Sequence, residues 1–299
     1  MPTYKGSLRI FRLAGIDVYV HWLWLVVAVY EVTARDQRYT SIAWSVAEYC
    51  TLFFIVLLHE FGHAFACRSV GGVAKEIVLW PLGGVALVQP PARPGATLWT
   101  IVAGPLVNLV LAPILVGLAM FASSRGLKET HPDLDHYVYS VAVINIVLFV
   151  FNVLPIYPLD GGQILRSLLW FVIGPAHSLT VVAIIGFVGV IGVIGVAVWL
   201  GSVWTAIMAW FILMNCIGGL KQARALGRIA AAPKHDGYRC PSCSVPPPAG
   251  AYWVCSTCRK EFDTFQEGGR CPNCHVLYPA TSCPSCGVMT PLVEWEAGR

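Results

Sequence analysis

Residues 57–66 read Leu57-Leu58-His59-Glu60-Phe61-Gly62-His63-Ala64-Phe65-Ala66. On a helix, His59 and His63 stand one turn apart and differ by about 40° in direction. Their imidazoles can therefore hold one ion together. Glu60 lies beside them, placed to take a proton from an attacking water. This HExxH spacing is the arrangement of zinc hydrolases. The pattern alone is moderately specific, and its setting sharpens it. It ends an apolar run over residues 41–66, long enough to cross a bilayer. Each ionisable side chain in such a span costs about 2.5–3.5 kcal/mol on insertion scales. Three together are hard to explain without a shared cation, the bland alternative being a His/Glu hydrogen-bond cluster that packs helices.

A catalytic zinc needs a third protein ligand and an open position for water. Asp160 is the best candidate. It ends the segment FNVLPIYPLDGG (residues 151–162), where two prolines break a helix. Gly161 and Gly162 let the backbone turn close to the ion. Asp160 also has a reading as a helix N-cap for residues 162–173, and its two oxygens allow both roles. Cys67 is one turn beyond His63 but about 12 Å from His59, too far to share the ion. Glu48 lies on nearly the same face about 16 Å from His59 and reads as an acid near the far interface. His21 reads as a hydrogen-bonded structural histidine.

The rest of the chain fits a membrane setting. Its 299 residues are 57% hydrophobic and 12% charged, with a mean hydropathy of +0.67. Soluble domains carry about 25% charged residues. Six spans are expected, at 16–33, 41–66, 97–122, 137–155, 178–200 and 203–220. Residues 73–90, with β-branched residues, two prolines and a Gly-Gly pair, read as short strands or a loop at the cytoplasmic face. Residues 1–15 read as a basic interfacial lead without a cleavable signal. One side of the spans carries Lys5, Arg9, Arg12, Arg68, Lys75, Arg93, Arg166, Lys221, Arg224, Arg228 and Lys234. The other carries Arg35, Arg38, Arg125 and Lys128. The positive-inside rule then places both termini in the cytoplasm. The expected fold is a polytopic α-helical membrane domain over 1–220, a charged linker over 221–234, and a small zinc-ribbon-like domain over 235–299.

The tail carries eight of the eleven cysteines in four C-x2-C pairs: Cys240/Cys243, Cys255/Cys258, Cys271/Cys274 and Cys283/Cys286. In a reducing compartment such pairs bind zinc more often than they form disulfides. A tail of this size with few large aliphatics needs such staples to fold. Two structural zinc sites are expected. Successive pairing gives Cys240/Cys243/Cys255/Cys258 and Cys271/Cys274/Cys283/Cys286, with a crossed pairing also open. His275 is surplus. Residues 235–299 hold five basic against six acidic residues, a net −1 that argues against nucleic acid, which wants a basic patch. A protein-binding or regulatory module is expected instead, with Trp253, Phe262 and Phe265 as exposed contacts.

Four motifs in order, H59-E-F-G-H63, P81-L-G-G-V-A86, G104-P-L-V-N108 and N152-V-L-P-I-Y-P-L-D160-G-G162, resemble those of the site-two protease family. The likeness covers residues 16–173. It implies that His59, His63 and Asp160 bind one catalytic zinc and that Glu60 is the general base. It also implies that Asn108 and Asn152 lie near the active site, orienting substrate or stabilising an oxyanion, with helix–helix hydrogen bonding as their plainer reading. The segment from Pro81 to Ala86 resembles the family's β element, which offers an edge to an unwound substrate. The implied activity is cleavage of membrane proteins within a transmembrane helix, in the cell membrane of a prokaryote. The chain lacks the PDZ-like insert and CBS-like tail of some relatives. Two other readings compete. A zinc transporter or sensor would need acids or histidines on several spans, and 178–200 and 203–220 carry none. An inactive scaffold would not need Glu60.

Overall fold

The computed structural model describes residues 6–34, 38–80 and 83–296. Lys5, Arg35, Pro81 and Arg299, used in the readings above, lie outside them. A four-stranded sheet comes first: β1 (Ser7–Leu13), β2 (Ile16–His21), β3 (Val73–Trp80) and β4 (Gly83–Gln89), in that spatial order. The β3–β4 hairpin is the strand element expected within 73–90. The strands β1 and β2 were not expected. Their signal is local. Ile16 and Val18 alternate with Asp17 and Tyr19, and the linking Ala14-Gly15 has φ of 49° and 74°. A two-residue hairpin turn of this hand needs both values positive. The strands β2 and β3 pair in parallel, from Asp17↔Glu76 to Val20↔Leu79. A parallel pair requires a long crossover, here made by α1 (Leu23–Ala34) and α2 (Ile42–Ser69).

The stretch 16–33, expected as one span, is therefore strand β2 followed by a 12-residue helix. Such a helix rises only about 18 Å, short of the ~30 Å hydrocarbon layer. Among the described residues, five helices are long and apolar enough to cross a membrane: α2, α3 (Pro94–Ser124), α5 (Pro132–Val153), α6 (Asp160–Leu200) and residues 205–231 of α7 (Val203–Ala231). A short α4 (Leu127–Thr130) joins α3 to α5. Ser41 caps α2 by accepting the N–H of Ala43, and Ser202 caps α7 through Thr205. Pro94 and Pro132 open α3 and α5, where a missing N–H costs nothing. The helix α6 is broken at Gly174 (φ 76°, ψ 173°) before Pro175. It divides where a short helix over 161–173 and a separate span were expected. Residues 221–231, expected as linker, continue α7.

The sheet packs on α2. Val56, Leu57, Phe61, Ala64 and Cys67 of α2 meet Ile16 and Val18 of β2 and Ala74, Ile77 and Leu79 of β3 in one buried cluster. Close packing of these side chains, the main attraction available in an apolar layer, fixes the strands against the helix that carries His59 and His63. The helix α2 also packs against α3 and α5, and α3 packs against α6. The first turn of α6 is thereby brought towards α2.

The tail is built from four copies of one turn. In each, the N–H of the first cysteine donates to the carbonyl five residues on: Cys240 to Val245, Cys255 to Lys260, Cys271 to Val276 and Cys283 to Val288. The fifth residue donates back to the first cysteine's carbonyl and has positive φ, at Ser244, Arg259, His275 and Gly287. Short ladders follow, β5 (Trp253–Val254) with β6 (Glu261–Phe262) and β7 (Ala280–Ser282) with β8 (Met289–Pro291), then a 3-10 turn over Leu292–Trp295. Phe262 and Phe265, expected as exposed contacts, are buried, and Trp253 is half-buried. Phe265 packs with Tyr238, Trp253 and the fully buried Trp295. With so few aliphatics, the aromatics are consumed as core.

Candidate metal centre

His59 and His63 stand one turn apart in the second half of α2, and both are buried. Asp160, the first residue of α6, meets them from the other side. Its Oδ2 is 3.0 Å from His59 Nε2 and 3.3 Å from His63 Nε2, and the two Nε2 atoms are 3.1 Å apart. Asp160 does not cap its helix. The cap position is Leu159, and no side chain makes the cap hydrogen bond.

The outer ring nitrogens decide the chemistry. His59 Nδ1 lies 2.6 Å from Asn108 Oδ1, and His63 Nδ1 lies 2.9 Å from the carbonyl of Thr100. Both partners are acceptors, so each ring carries its hydrogen on Nδ1 and turns the Nε2 lone pair inward. Two lone pairs and a carboxylate oxygen then converge with no donor among them. Such a group could hold a metal ion. Tetrahedral zinc with ligand bonds near 2.0–2.1 Å puts its donors roughly 3.4 Å apart, close to the spacings here. Space is kept for the ion by Gly104 of α3. A Cβ there would lie 2.3 Å from Nε2 of His63 and 2.7 Å from Nε2 of His59. The donor set and the space both fit zinc.

Glu60 is buried beside the centre, and its Oε2 accepts the N–H of Ala86 on β4 at 2.8 Å. The strand approaches this closely because residue 84 is glycine, whose Cβ would fall 2.3 Å from Glu60 Cγ. Asn108 is fully buried and belongs to the centre through His59. Asn152 is half-buried in the last turn of α5, and its side chain makes no hydrogen bond to the described residues. Cys67 is not among the grouped ligands, its Sγ lying 3.6 Å from the carbonyl of Val73. Glu48 accepts from Tyr39 and pairs with Arg38 at 3.3 Å. His21 stacks on Trp80 at 4.2 Å. The Leu23 N–H donates to His21 Nδ1 at 3.3 Å, so His21 is the hydrogen-bonded histidine expected. Three contributors were missed by sequence reasoning: the Thr100 carbonyl, the Ala86 N–H and Asn145, whose Oδ1 accepts from Asn108 Nδ2 at 2.9 Å. Only Asn145 left a trace, as an amide in the apolar run VAVINIVLF.

The tail forms two four-cysteine groups, but not in succession. Cys240 and Cys243 join Cys283 and Cys286, while Cys255 and Cys258 join Cys271 and Cys274. Sulfur–sulfur separations of 3.7 Å in the first group and 3.4–3.6 Å in the second match the roughly 3.8 Å edge of a zinc tetrahedron with 2.3 Å bonds. The expected successive pairing is corrected to a nested one. The cause is the return of the chain's end. The N–H of Arg239 donates to the carbonyl of Trp295 at 2.7 Å, and Trp295 packs with Cys240, Cys283 and Phe265. The last turn is thereby closed onto the first. His275 is exposed, outside both groups.

The sequence profile of peptidase family M50 matches residues 47–130 and 121–196, about half of the chain and including every ligand of the centre. The chain belongs to peptidase family M50. A zinc metalloprotease of Methanocaldococcus jannaschii is 32% identical over 180 residues, covering 60% of this chain and 50% of that protein. The zinc metalloprotease Rip3 of Mycobacterium tuberculosis is 28% identical over 227 residues, covering 70% and 57%. Stage IV sporulation protein FB of Bacillus subtilis is 31% identical over 153 residues, covering 50% and 46%. The chain spans between half and 64% of the length of the first relatives it matches. The solved site-2 protease from M. jannaschii superposes with a TM-score of 0.54 at 23% identity, covering 72% of this chain and 95% of that one. That likeness shows the fold. The M50 match ends at residue 196, before the cysteine-rich tail.

Proposed function

We propose that this M50 chain is an intramembrane zinc endopeptidase that cleaves other membrane proteins within a transmembrane helix. The observation that carries the reading is the convergence of His59, His63 and Asp160 on one point, with Glu60 beside them, inside helices apolar enough to cross a bilayer. Zinc held there would polarise a scissile carbonyl and acidify water at neutral pH.

His59, His63 and Asp160 hold the ion, with rings oriented by Asn108 and the Thr100 carbonyl. Glu60 takes the proton of the attacking water and passes it to the leaving amine. Its Ala86 contact fixes one carboxylate oxygen, so the other is aimed without loss of rotamer freedom during the reaction. Asn152, half-buried in the last turn of α5 and with a side chain that makes no hydrogen bond to the described residues, suits substrate orientation or oxyanion stabilisation. A helical substrate keeps its carbonyls in internal hydrogen bonds and must unwind before attack, so helix-breaking residues near the cut favour cleavage. We place the chain as a multi-pass protein of a prokaryotic cell membrane with both termini in the cytoplasm, which requires β2 and α1 together to make the first of six crossings; the charge distribution supports that sidedness. The organisation proposed is a protease domain over 1–220, a connection over 221–234 and a tail over 235–299. The tail holds two structural zinc ions and serves protein recognition.

The test is cleavage of tagged single-pass membrane proteins on co-expression with the intact chain or with Glu60→Gln. A product that disappears with Glu60→Gln, while that variant accumulates and keeps its zinc, supports the reading. Equal product from both removes the role of Glu60.

A further inference from the structure

We propose that Asn145 is a positioning residue for the metal centre: it sets the amide orientation of Asn108 and thereby the ring nitrogen that His59 offers to the ion. The proposal rests on the metal-centre reading of His59, His63 and Asp160. Asn145 lies on α5, touches no ligand, and is fully buried, as is Asn108 on α3. Two amides buried between apolar helices are costly unless every polar atom is paired.

The pairing here runs one way. A side-chain amide is nearly symmetric in shape, so packing alone does not decide which end is oxygen. A main-chain carbonyl does decide it, because it can only accept. Asn145 Nδ2 donates to the carbonyl of Asn108 at 2.9 Å. Asn145 Oδ1 is thereby turned to the side chain of Asn108, where it accepts from Nδ2 at 2.9 Å. Asn108 Oδ1 is then left to face His59 Nδ1 at 2.6 Å. That acceptor places the ring hydrogen on Nδ1 and the lone pair on Nε2, towards Asp160 and His63. A flip of Asn108 would set Nδ2 against an N–H and Oδ1 against Asn145 Oδ1. A flip of Asn145 would set two oxygens together at the Asn108 carbonyl. The fixed direction of one helix carbonyl is thus transmitted through two amides to a zinc-binding nitrogen.

A plain interhelical hydrogen bond between α3 and α5 would use the same atoms, so the test must read the ion and not the fold. Zinc is measured on the full-length protein by competition with a chelator. Full-length His59→Ala sets the reference for zinc held by the tail alone. Asn145→Leu, close in volume, is expected to lower the affinity of the non-tail ion about 10–100-fold while the tail ions stay. Asn145→Ala serves the same purpose if the leucine variant does not accumulate. In an Asn108→Leu background, Asn145→Leu is expected to change affinity no further, because it acts only through Asn108. Unchanged affinity in both Asn145 variants, or losses that add in the double variant, would overturn the proposal. Wild-type protein holding no more zinc than His59→Ala would instead overturn the metal-centre reading beneath it.

Discussion

The carboxylate of Glu60 accepts the backbone N–H of Ala86 at 2.8 Å, tying the middle of α2 to the edge strand β4. The two residues are 26 apart in sequence, and β4 reaches Glu60 only through the bare backbone of Gly84. The sheet therefore does more than pack on α2, since it holds the buried Glu60 carboxylate, the proposed base, in one rotamer.

Replacing the donor tests this. Ala86→Pro removes the N–H, which points away from β3 and so is spared from the β3–β4 ladder. A hydrogen bond to a charged group is worth about 1.5–3 kcal/mol, so cleavage of a tagged membrane substrate should slow about 10–100-fold. Zinc per chain should not change. An unchanged rate would show that Glu60 needs no support from the strand.

Gly104→Ala should empty the centre. Its Cβ would lie within 2.3 Å of the His63 ring, where the ion belongs. One zinc per chain should be lost, with proteolysis, while the eight tail cysteines keep theirs. Elemental analysis of the purified full-length variant, beside wild type, gives the answer directly. Full zinc retention would place the ion elsewhere.

The nested pairing in the tail is open to a counting experiment. Cys240→Ser with Cys283→Ser damages one site if the pairing is nested and two if it is successive. Cys240→Ser with Cys255→Ser does the reverse. The first double variant should lose one zinc and the second two. The opposite counts would restore the successive arrangement.

Asp263 carries the pH dependence of the tail that this structure predicts. Burial alone would raise its pKa. The N–H groups of Gly250 and Gln266 and the ring of His235 at 2.8 Å outweigh burial and hold it below the usual carboxylate value. A depressed folded value means that the stabilisation is fully present above the unfolded pKa of about 3.9 and fades as pH falls through the folded value. Asp263→Asn should destabilise the tail by about 1–3 kcal/mol at neutral pH. That gap to wild type should close as pH falls below about 4, where the wild-type carboxylate becomes protonated. A gap that closes in the neutral range would assign the dependence to another group.

Much of this protein was legible in the chain itself. His59 and His63 need only a helix to face one ion, because four residues make about one turn. The C-x2-C turns close within six residues and repeat four times with the same hydrogen bonds. Apolar runs announce spans by length. Strands β1 and β2 were hidden because six alternating residues at 16–21 continue into the apolar residues of α1, and a hydropathy reading merges them. The phenylalanines of the tail were misread because exposure is not a local property where aromatics are the only core available.

The sequence by itself determined that two histidines with a glutamate between them share one helix turn and that eight thiols stand in four paired knuckles, since each depends on neighbours within a turn or a knuckle. The tertiary structure decided which distant groups complete them. Asp160 meets His59 across 101 residues, and Asn145 meets Asn108 across 37. Cys286 meets Cys240 across 46 because Trp295 returns under the first knuckle. Such meetings depend on how whole helices and turns bury their apolar faces against one another. No short stretch of the chain contains both sides of that packing.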